Sequence, residues 1–201
     1  MSIVVEHEKR RRKILEKALD VFIDEGYEDT TYQKIADRCR ITRTTLYLYF
    51  KNKREIFNYS IKQFLQTLED DINEKRKKTG LSCTEKLIQV MILIIERFEE
   101  NKQLLSVVLD YLVHSSKGGQ DPFNRVRRRT MRLRHIYTAL ILEGIKKGEF
   151  SKSINVKNAN ELLYGILEAV IFRLTVLRRE KADDLKEAMK LAVKRLVKTP
   201  G

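Results

Sequence analysis

Residues 30–53 read TTYQKIADRCRITRTTLYLYFKNK, and two short helices are written into this stretch. Thr30 and Gln33 have the S/T-x-x-E/Q spacing of a capping box, which satisfies free backbone N–H groups at a helix start. The helix that follows carries Ile35 and Ala36 inward and ends near Cys39. Arg40 and Ile41 make a tight turn, and Thr42 is a good N-cap for a second helix that runs to about Tyr47. Ile35, Ala36, Ile41, Leu46 and Phe50 are the apolar positions expected to pack on a preceding helix. Arg43, Thr44, Thr45 and Tyr47, with Lys51 and Lys53 nearby, then face outward. A helix of this size fits the DNA major groove, where its N-terminal side chains reach base edges. Arginine pairs bidentately with guanine, and threonine donates or accepts while its methyl touches thymine. Tyrosine hydroxyls and helix N-termini suit phosphates.

Helices extend on both sides. Residues 1–8 are expected to form a frayed arm, and Ile14, Leu15, Ala18, Leu19 and Phe22 then recur at helical spacing up to a stop at Gly26. Asn52 and Glu55 cap a longer helix that carries Ile56, Phe57, Ile61, Phe64, Leu65 and Leu68. Gly80 breaks the chain, and Ser82 with Glu85 caps a helix whose residues 87–95 are apolar nearly all round, the mark of a helix buried in a bundle. Another spans about residues 102–113. Asp121-Pro122 starts one that runs to about Lys147 and stops at Gly148, and two more cover roughly 156–178 and 182–197. The expectation is an all-α chain of about nine helices. A three-helix helix-turn-helix domain (residues 1–53) precedes a helical bundle for ligand binding and dimerisation (54–201).

Residues 30–53 resemble the DNA-binding domain of the tetracycline-repressor (TetR) family, whose pattern is close to T-T-x-x-x-I-A-x-x-x-G-V-S-x-x-T-L-Y-x-Y-F-x-x-K. The matching positions are Thr30, Thr31, Ile35, Ala36, Ile41, Thr42, Thr45, Leu46, Tyr47, Tyr49, Phe50 and Lys53. Ile14, Ala18, Phe22, Gly26 and Tyr27 match the family's first helix, and residues 143–150 (EGIKKGEF) are similar to a common ending of its seventh. The resemblance implies that Thr31, Tyr47, Tyr49 and Lys53 hold phosphates. It further implies that Arg43, Thr44 and Thr45 approach base edges, with Tyr32 as a helper. It implies a homodimer on a near-palindromic double-stranded DNA operator, and a small-molecule effector in the bundle that releases DNA. Two positions depart from the pattern. Arg40 stands where glycine is usual, and Leu48 stands where a basic or polar residue is common.

Composition agrees with an all-helical, polyanion-binding chain. Only 8 glycines and 2 prolines occur in 201 residues, too few for the turns of a strand-rich fold. A formal net charge of +13 favours DNA, RNA or an anionic membrane as partner. Lys9-Arg10-Arg11-Arg12-Lys13 either adds phosphate or minor-groove contacts or is simply a solvated helix start. Cys39 and Cys83 form no CxxC pair and His7, His114 and His135 are scattered, so no zinc-ligand spacing exists. No nucleophile–base pair and no phosphate-cradling glycine loop is present, so neither an enzyme nor a bound cofactor or metal is expected. The longest apolar run is too short to span a bilayer. A charged N-terminus without a signal-peptide core sets the cytoplasm as the expected compartment.

Within the bundle, Phe64, Leu68, Met91, Ile95, Phe98, Tyr111, Tyr137, Tyr164 and Phe172 are the large side chains able to line an effector cavity. Aromatic and methionine side chains at helical spacing are more often core than ligand contacts. Arg125, Arg127, Arg128, Arg129, Arg132 and Arg134 cannot share one helix face. Most must be solvated, and Arg134 beside Tyr137 is the candidate to meet an anionic effector. The last two helices carry apolar faces wider than one core needs, with Gly165 and Ala169 permitting close approach, which suggests a dimer interface. Two other functions compete at this level: an architectural or nucleoid-associated DNA-binding protein without an effector, and an enzyme or small-molecule carrier built on the bundle alone, which the absence of any catalytic cluster disfavours.

Overall fold

The computed structural model describes the backbone of residues 2–77, 79–115 and 122–197, and the side chains of 5–77, 79–114 and 131–197. Among the described residues there are nine helices and no strand. They are α1 (Ser2–Asp29), α2 (Tyr32–Cys39), α3 (Arg43–Tyr47), α4 (Lys53–Lys77), α5 (Cys83–Glu100), α6 (Lys102–Ser115), α7 (Pro122–Lys147), α8 (Val156–Thr175) and α9 (Asp183–Lys194). The all-α expectation therefore holds.

Local chemistry explains most of the helix ends. Gly26, at φ 79°, breaks the helical geometry of α1, a conformation glycine takes without a Cβ penalty. Thr42 caps α3 by accepting the Thr45 amide at 3.0 Å, and Asn52 accepts the Glu55 amide at 2.8 Å ahead of α4. Ser82 and Glu85 make the reciprocal capping box expected at α5. Two expectations need correction. The α2 cap is Thr31, whose Oγ1 accepts the Lys34 amide at 3.2 Å. Thr30 is buried and donates instead to the Gly26 carbonyl at 2.6 Å, closing the chain back onto α1. Nor do residues 2–8 form a frayed arm. No glycine or proline interrupts α1 before Gly26, and His7 stacks on Tyr49 at 4.6 Å. The expected cap Asp121, loop residues 116–120 and the side chains of Arg125 and Arg127–Arg129 lie outside the described residues.

The chain divides into two units. One comprises Met1–Thr67 with Val107–His114, the other Leu68–Ser106 with Ser115–Gly201. In the first, Ile14, Leu15, Ala18 and Phe22 of α1 close over Ile35, Leu46, Phe50, Ile56 and Phe57. Each large side chain buried in this way contributes about 1.5–3 kcal/mol. Helix α6 contributes Val107 and Tyr111 to this cluster.

In the second unit α5 is central. Leu87, Val90, Met91, Ile94 and Ile95 are all buried, as a helix apolar on every side must be, and α5 packs on α7, α8 and α9. Glu149, just past α7, accepts the Cys83 amide at 3.0 Å and the Thr84 amide at 3.2 Å, giving α5 a second cap. Glu99 of α5 accepts the Ala182 amide and the Lys186 ammonium, each at 2.7 Å, and so anchors α9, whose own N-cap residue supplies no side-chain bond. At Gly144 the backbone of α7 meets the Phe150 ring so closely that a Cβ would stand 2.3 Å from Phe150 Cδ2.

Candidate functional site

Helix α3 is positioned from below by Leu46 and Phe50, both buried in the first unit. Its opposite side leaves Arg43 and Thr44 exposed and Tyr47 half exposed. The Thr45 hydroxyl bonds the Thr42 hydroxyl at 2.9 Å, so one of its sites is engaged in the cap. Thr31 is exposed at the start of α2, where unpaired backbone N–H groups favour an anion. These five residues lie on short helices held by one core.

The other three expected DNA-contacting residues are tied to neighbours. Tyr32 donates its hydroxyl to the Phe50 carbonyl at 2.6 Å and stacks on Tyr47 with ring centroids 4.5 Å apart. Burial, then the neighbouring Tyr47 and Glu55, push its pKa up to about 12. Tyr32 is thus a neutral buttress that orients the Tyr47 ring. Tyr49 is half-buried against His7. Lys53 donates to the Tyr27 carbonyl at 2.7 Å and the Glu28 carbonyl at 2.9 Å, with its ammonium 4.6 Å from the centroid of the Tyr27 ring. It clasps the tail of α1, where carbonyls have no intrahelical partner.

The two departures from the family pattern have distinct outcomes. Arg40 takes the left-handed conformation, φ 56° and ψ 47°, that glycine would adopt more cheaply. For a residue with a Cβ this costs about 1–2 kcal/mol. Leu48 packs against little and is 75% exposed, an apolar side chain presented beside Tyr47.

In the second unit, Leu68, Met91, Ile95, Phe98 and Tyr137 share one buried cluster, and Tyr164 packs against it. Phe172 stands exposed on α8, while Phe64 and Tyr111 belong to the first unit, where Tyr111 packs on Tyr27 and Phe57. Arg134 lies 3.8 Å over the Tyr164 ring and donates to Glu161 at 2.7 Å, so its charge is already balanced by a carboxylate. Arg132 approaches Glu69 at 3.7 Å.

The chemically unusual feature of this core is polar. The Tyr137 hydroxyl is buried with no hydrogen-bond partner, and burial raises its pKa well above the ordinary tyrosine value. Asn160 of α8 donates its amide to the Thr138 hydroxyl, which itself donates to the Arg134 carbonyl. This leaves Asn160 Oδ1 buried and unpaired as well. Asn160 was not among the residues singled out from sequence. An asparagine between Ala159 and Glu161, inside an apolar helix, was the available signal.

Among the described residues no cluster of His, Cys, Asp and Glu could hold a metal ion, and no helix is long and apolar enough to cross a membrane. Both cysteines are free thiols.

Comparison with known proteins adds to this geometry. Residues 14–59 match the family model "Bacterial regulatory proteins, tetR family", and residues 57–198 match "YsiA-like protein, C-terminal region". The fatty acid metabolism regulator protein of Bacillus subtilis (strain 168) is 26% identical over 163 residues, covering 79% of this chain and 80% of its own length. The crystal structure of a transcriptional regulator FadR from Bacillus subtilis in complex with stearoyl-CoA superposes with a TM-score of 0.68 at 25% identity, covering 92% of this chain and 97% of that one. A TetR transcription regulator from Haloarcula marismortui ATCC 43049 reaches a TM-score of 0.83 at 19% identity, over 95% of this chain and all of the other, a likeness of fold.

Proposed function

The chain belongs to the tetR family of bacterial regulatory proteins, and from that premise we propose that it is a homodimeric repressor whose effector is a long-chain acyl thioester of coenzyme A. It is a DNA-binding transcriptional regulator, and the observation that carries this is α3: a capped helix, buried on Leu46, presenting Arg43, Thr44 and Tyr47 outward. Residues 1–53 bind DNA and residues 54–201 bind effector and dimerise. Arg43, Thr44 and Thr45 read base edges. Thr31, Tyr47 and Tyr49 hold phosphates, with Tyr32 setting the Tyr47 ring, and Lys53 serves phosphate from its seat at the start of α4. Two α3 helices in successive major grooves need a separation of about 34–36 Å, the spacing a symmetric dimer would have to hold.

The dimer reading is supported by α8. Leu162, Gly165, Ala169, Phe172 and Val176 step by three and four residues along one face. Leu162, Phe172 and Val176 are exposed, and nothing lies within 4 Å of where a Gly165 Cβ would be. Apolar residues in such a row are covered when a second copy packs against them.

The effector reading is supported by the relatives named for fatty acid metabolism and stearoyl-CoA, and by the unpaired Tyr137 and Asn160 oxygens in an otherwise apolar core. An acyl chain replaces apolar contacts in such a core, and a thioester carbonyl can accept from Tyr137. Because Tyr137 is fully buried, ligand reaches it only if the helices packed around it part. That change is what would couple ligand to DNA: the effector favours whichever bundle conformation it binds better. An architectural role without an effector is not favoured.

The test is a titration of the purified protein against a labelled fragment from upstream of its own gene, with and without stearoyl-CoA. Salt-dependent preference over random DNA, released by stearoyl-CoA but not by stearate or coenzyme A alone, is expected. Binding without sequence preference would overturn the regulator reading. Specific binding that stearoyl-CoA leaves untouched would overturn the effector.

A further inference from the structure

Outside the recognition helix, the N-terminal half of α1 and the turn between α2 and α3 enclose an open groove of about 470 Å³. Lys9, Arg10, Lys13, Lys17 and Arg40 line it against a single carboxylate, Glu6. Glu6, Lys9, Arg10, Lys13 and Lys17 recur at three- and four-residue steps, so they share one face of α1. A neighbouring face is docked. His7 stacks on Tyr49, and the Arg11 guanidinium lies 4.2 Å over Tyr59 and 5.1 Å over Phe50. The basic face is thereby held in place.

The cations of this groove differ from those beside it. On α2, Lys34 pairs with Glu25 and Arg38 with Asp24. Among the described residues, Lys9, Arg10, Lys13 and Arg40 have no ion-pair partner. Like charges that outnumber the one carboxylate beside them repel, and a polyanion relieves that repulsion. Arg40 adds a second, independent sign. It occupies a left-handed position at which glycine would be unstrained, and such strain persists where the side chain is put to use. Arg40 also ties the groove to the DNA-reading helix. It precedes Arg43 by three residues, a span of at most about 11 Å, less than the roughly 12 Å width of a major groove.

We propose that this groove is a second DNA site: it grips the sugar-phosphate backbone beside the bases read by α3, independently of sequence, with Arg40 joining the two surfaces. The proposal rests on the DNA-binding reading above. Its ligand is the run of backbone phosphates, and each cation acts by releasing condensed counter-ions.

The experiment measures operator and random-DNA affinity across about 50–200 mM salt for the full-length protein, for Arg40→Gly, for Arg40→Lys and for Lys9→Ala/Arg10→Ala/Lys13→Ala. Losing one phosphate contact lowers the slope of log K against log salt by about 0.9, so the salt-induced loss of affinity shrinks about three- to fourfold over that range. Arg40→Gly should show this change with the operator-to-random ratio preserved and with an undiminished melting temperature, because glycine relieves the strain. Arg40→Lys should keep the slope, and the triple variant should lose two to three contacts' worth. Unchanged slopes in both Arg40→Gly and the triple variant, with operator binding intact, would overturn the proposal. So would an altered operator-to-random ratio at constant slope, which would make Arg40 a support of α3 rather than a phosphate ligand. Failure of the unaltered protein to bind DNA in a salt-dependent way is a separate result and would sink the regulator reading itself.

Discussion

Replacing Tyr137 by phenylalanine removes one oxygen from the core of the second unit and separates a stability effect from a ligand effect. The hydroxyl is fully buried and has no hydrogen-bond partner among the described residues. Leaving such a group unsatisfied costs about 1–3 kcal/mol, and phenylalanine does not carry that cost. For a chain of this size each kcal/mol moves Tm by about 2–4 °C, so ligand-free Tyr137→Phe should melt about 2–12 °C higher. The same change should weaken the effector. A ligand carbonyl that accepts from Tyr137 recovers the lost 1–3 kcal/mol on binding, and the variant has nothing to recover, so its affinity falls about 5- to 150-fold. At ligand one hundred times the unaltered protein's Kd, linkage stabilises that protein by about 2.7 kcal/mol, whereas a variant binding a hundredfold more weakly keeps about 0.4 kcal/mol. Calorimetric melting with and without stearoyl-CoA reads both numbers. A lower ligand-free Tm would show that the hydroxyl is satisfied after all. A raised Tm with the ligand-induced shift intact would show that the effector's polar group lies elsewhere.

Gly144→Ala should destabilise the second unit by about 1–3 kcal/mol, because its Cβ would overlap the Phe150 ring and overpacking has costs of that order. Urea unfolding measures it, and a variant at least as stable as the parent would contradict the close packing. Burial opposes ionisation of Glu149, yet the amides of Cys83 and Thr84 more than compensate and hold its pKa below the ordinary 4.5. A carboxylate with a lowered folded pKa stabilises fully above its unfolded value and loses that contribution as pH falls below it. Melting curves from pH 7 to pH 3 should therefore decline less steeply below about pH 4.5 for Glu149→Gln than for the parent, and parallel curves would refute this role. Phe172→Glu puts a charge into the exposed α8 stripe and should yield a folded monomer by light scattering, with weakened operator binding. A dimer unaffected by this change would move the interface off that face.

Much of the fold was legible because its signals are local. A capping side chain reaches only three residues, so Thr42, Asn52 and the Ser82–Glu85 box announce helix starts from their own neighbourhood. Helical spacing likewise marks the all-apolar α5 and the outward Arg43, Thr44 and Tyr47. What the tertiary structure decided is which distant group each polar side chain meets. Thr30 reads as the cap of α2, yet the carbonyl of Gly26 claims its hydroxyl and Thr31 caps the helix instead. Nor does the sequence around Lys53 say that carbonyls 25 and 26 residues away seat its ammonium. Arg134 meets a carboxylate on α8, and Tyr111 goes to the aromatic cluster of the first unit. A chain's own pattern specifies which face of a helix is turned inward. Partners along the folded chain are chosen by packing, and the unpaired oxygens of Tyr137 and Asn160, together with the strained Arg40, became visible only once that packing was complete.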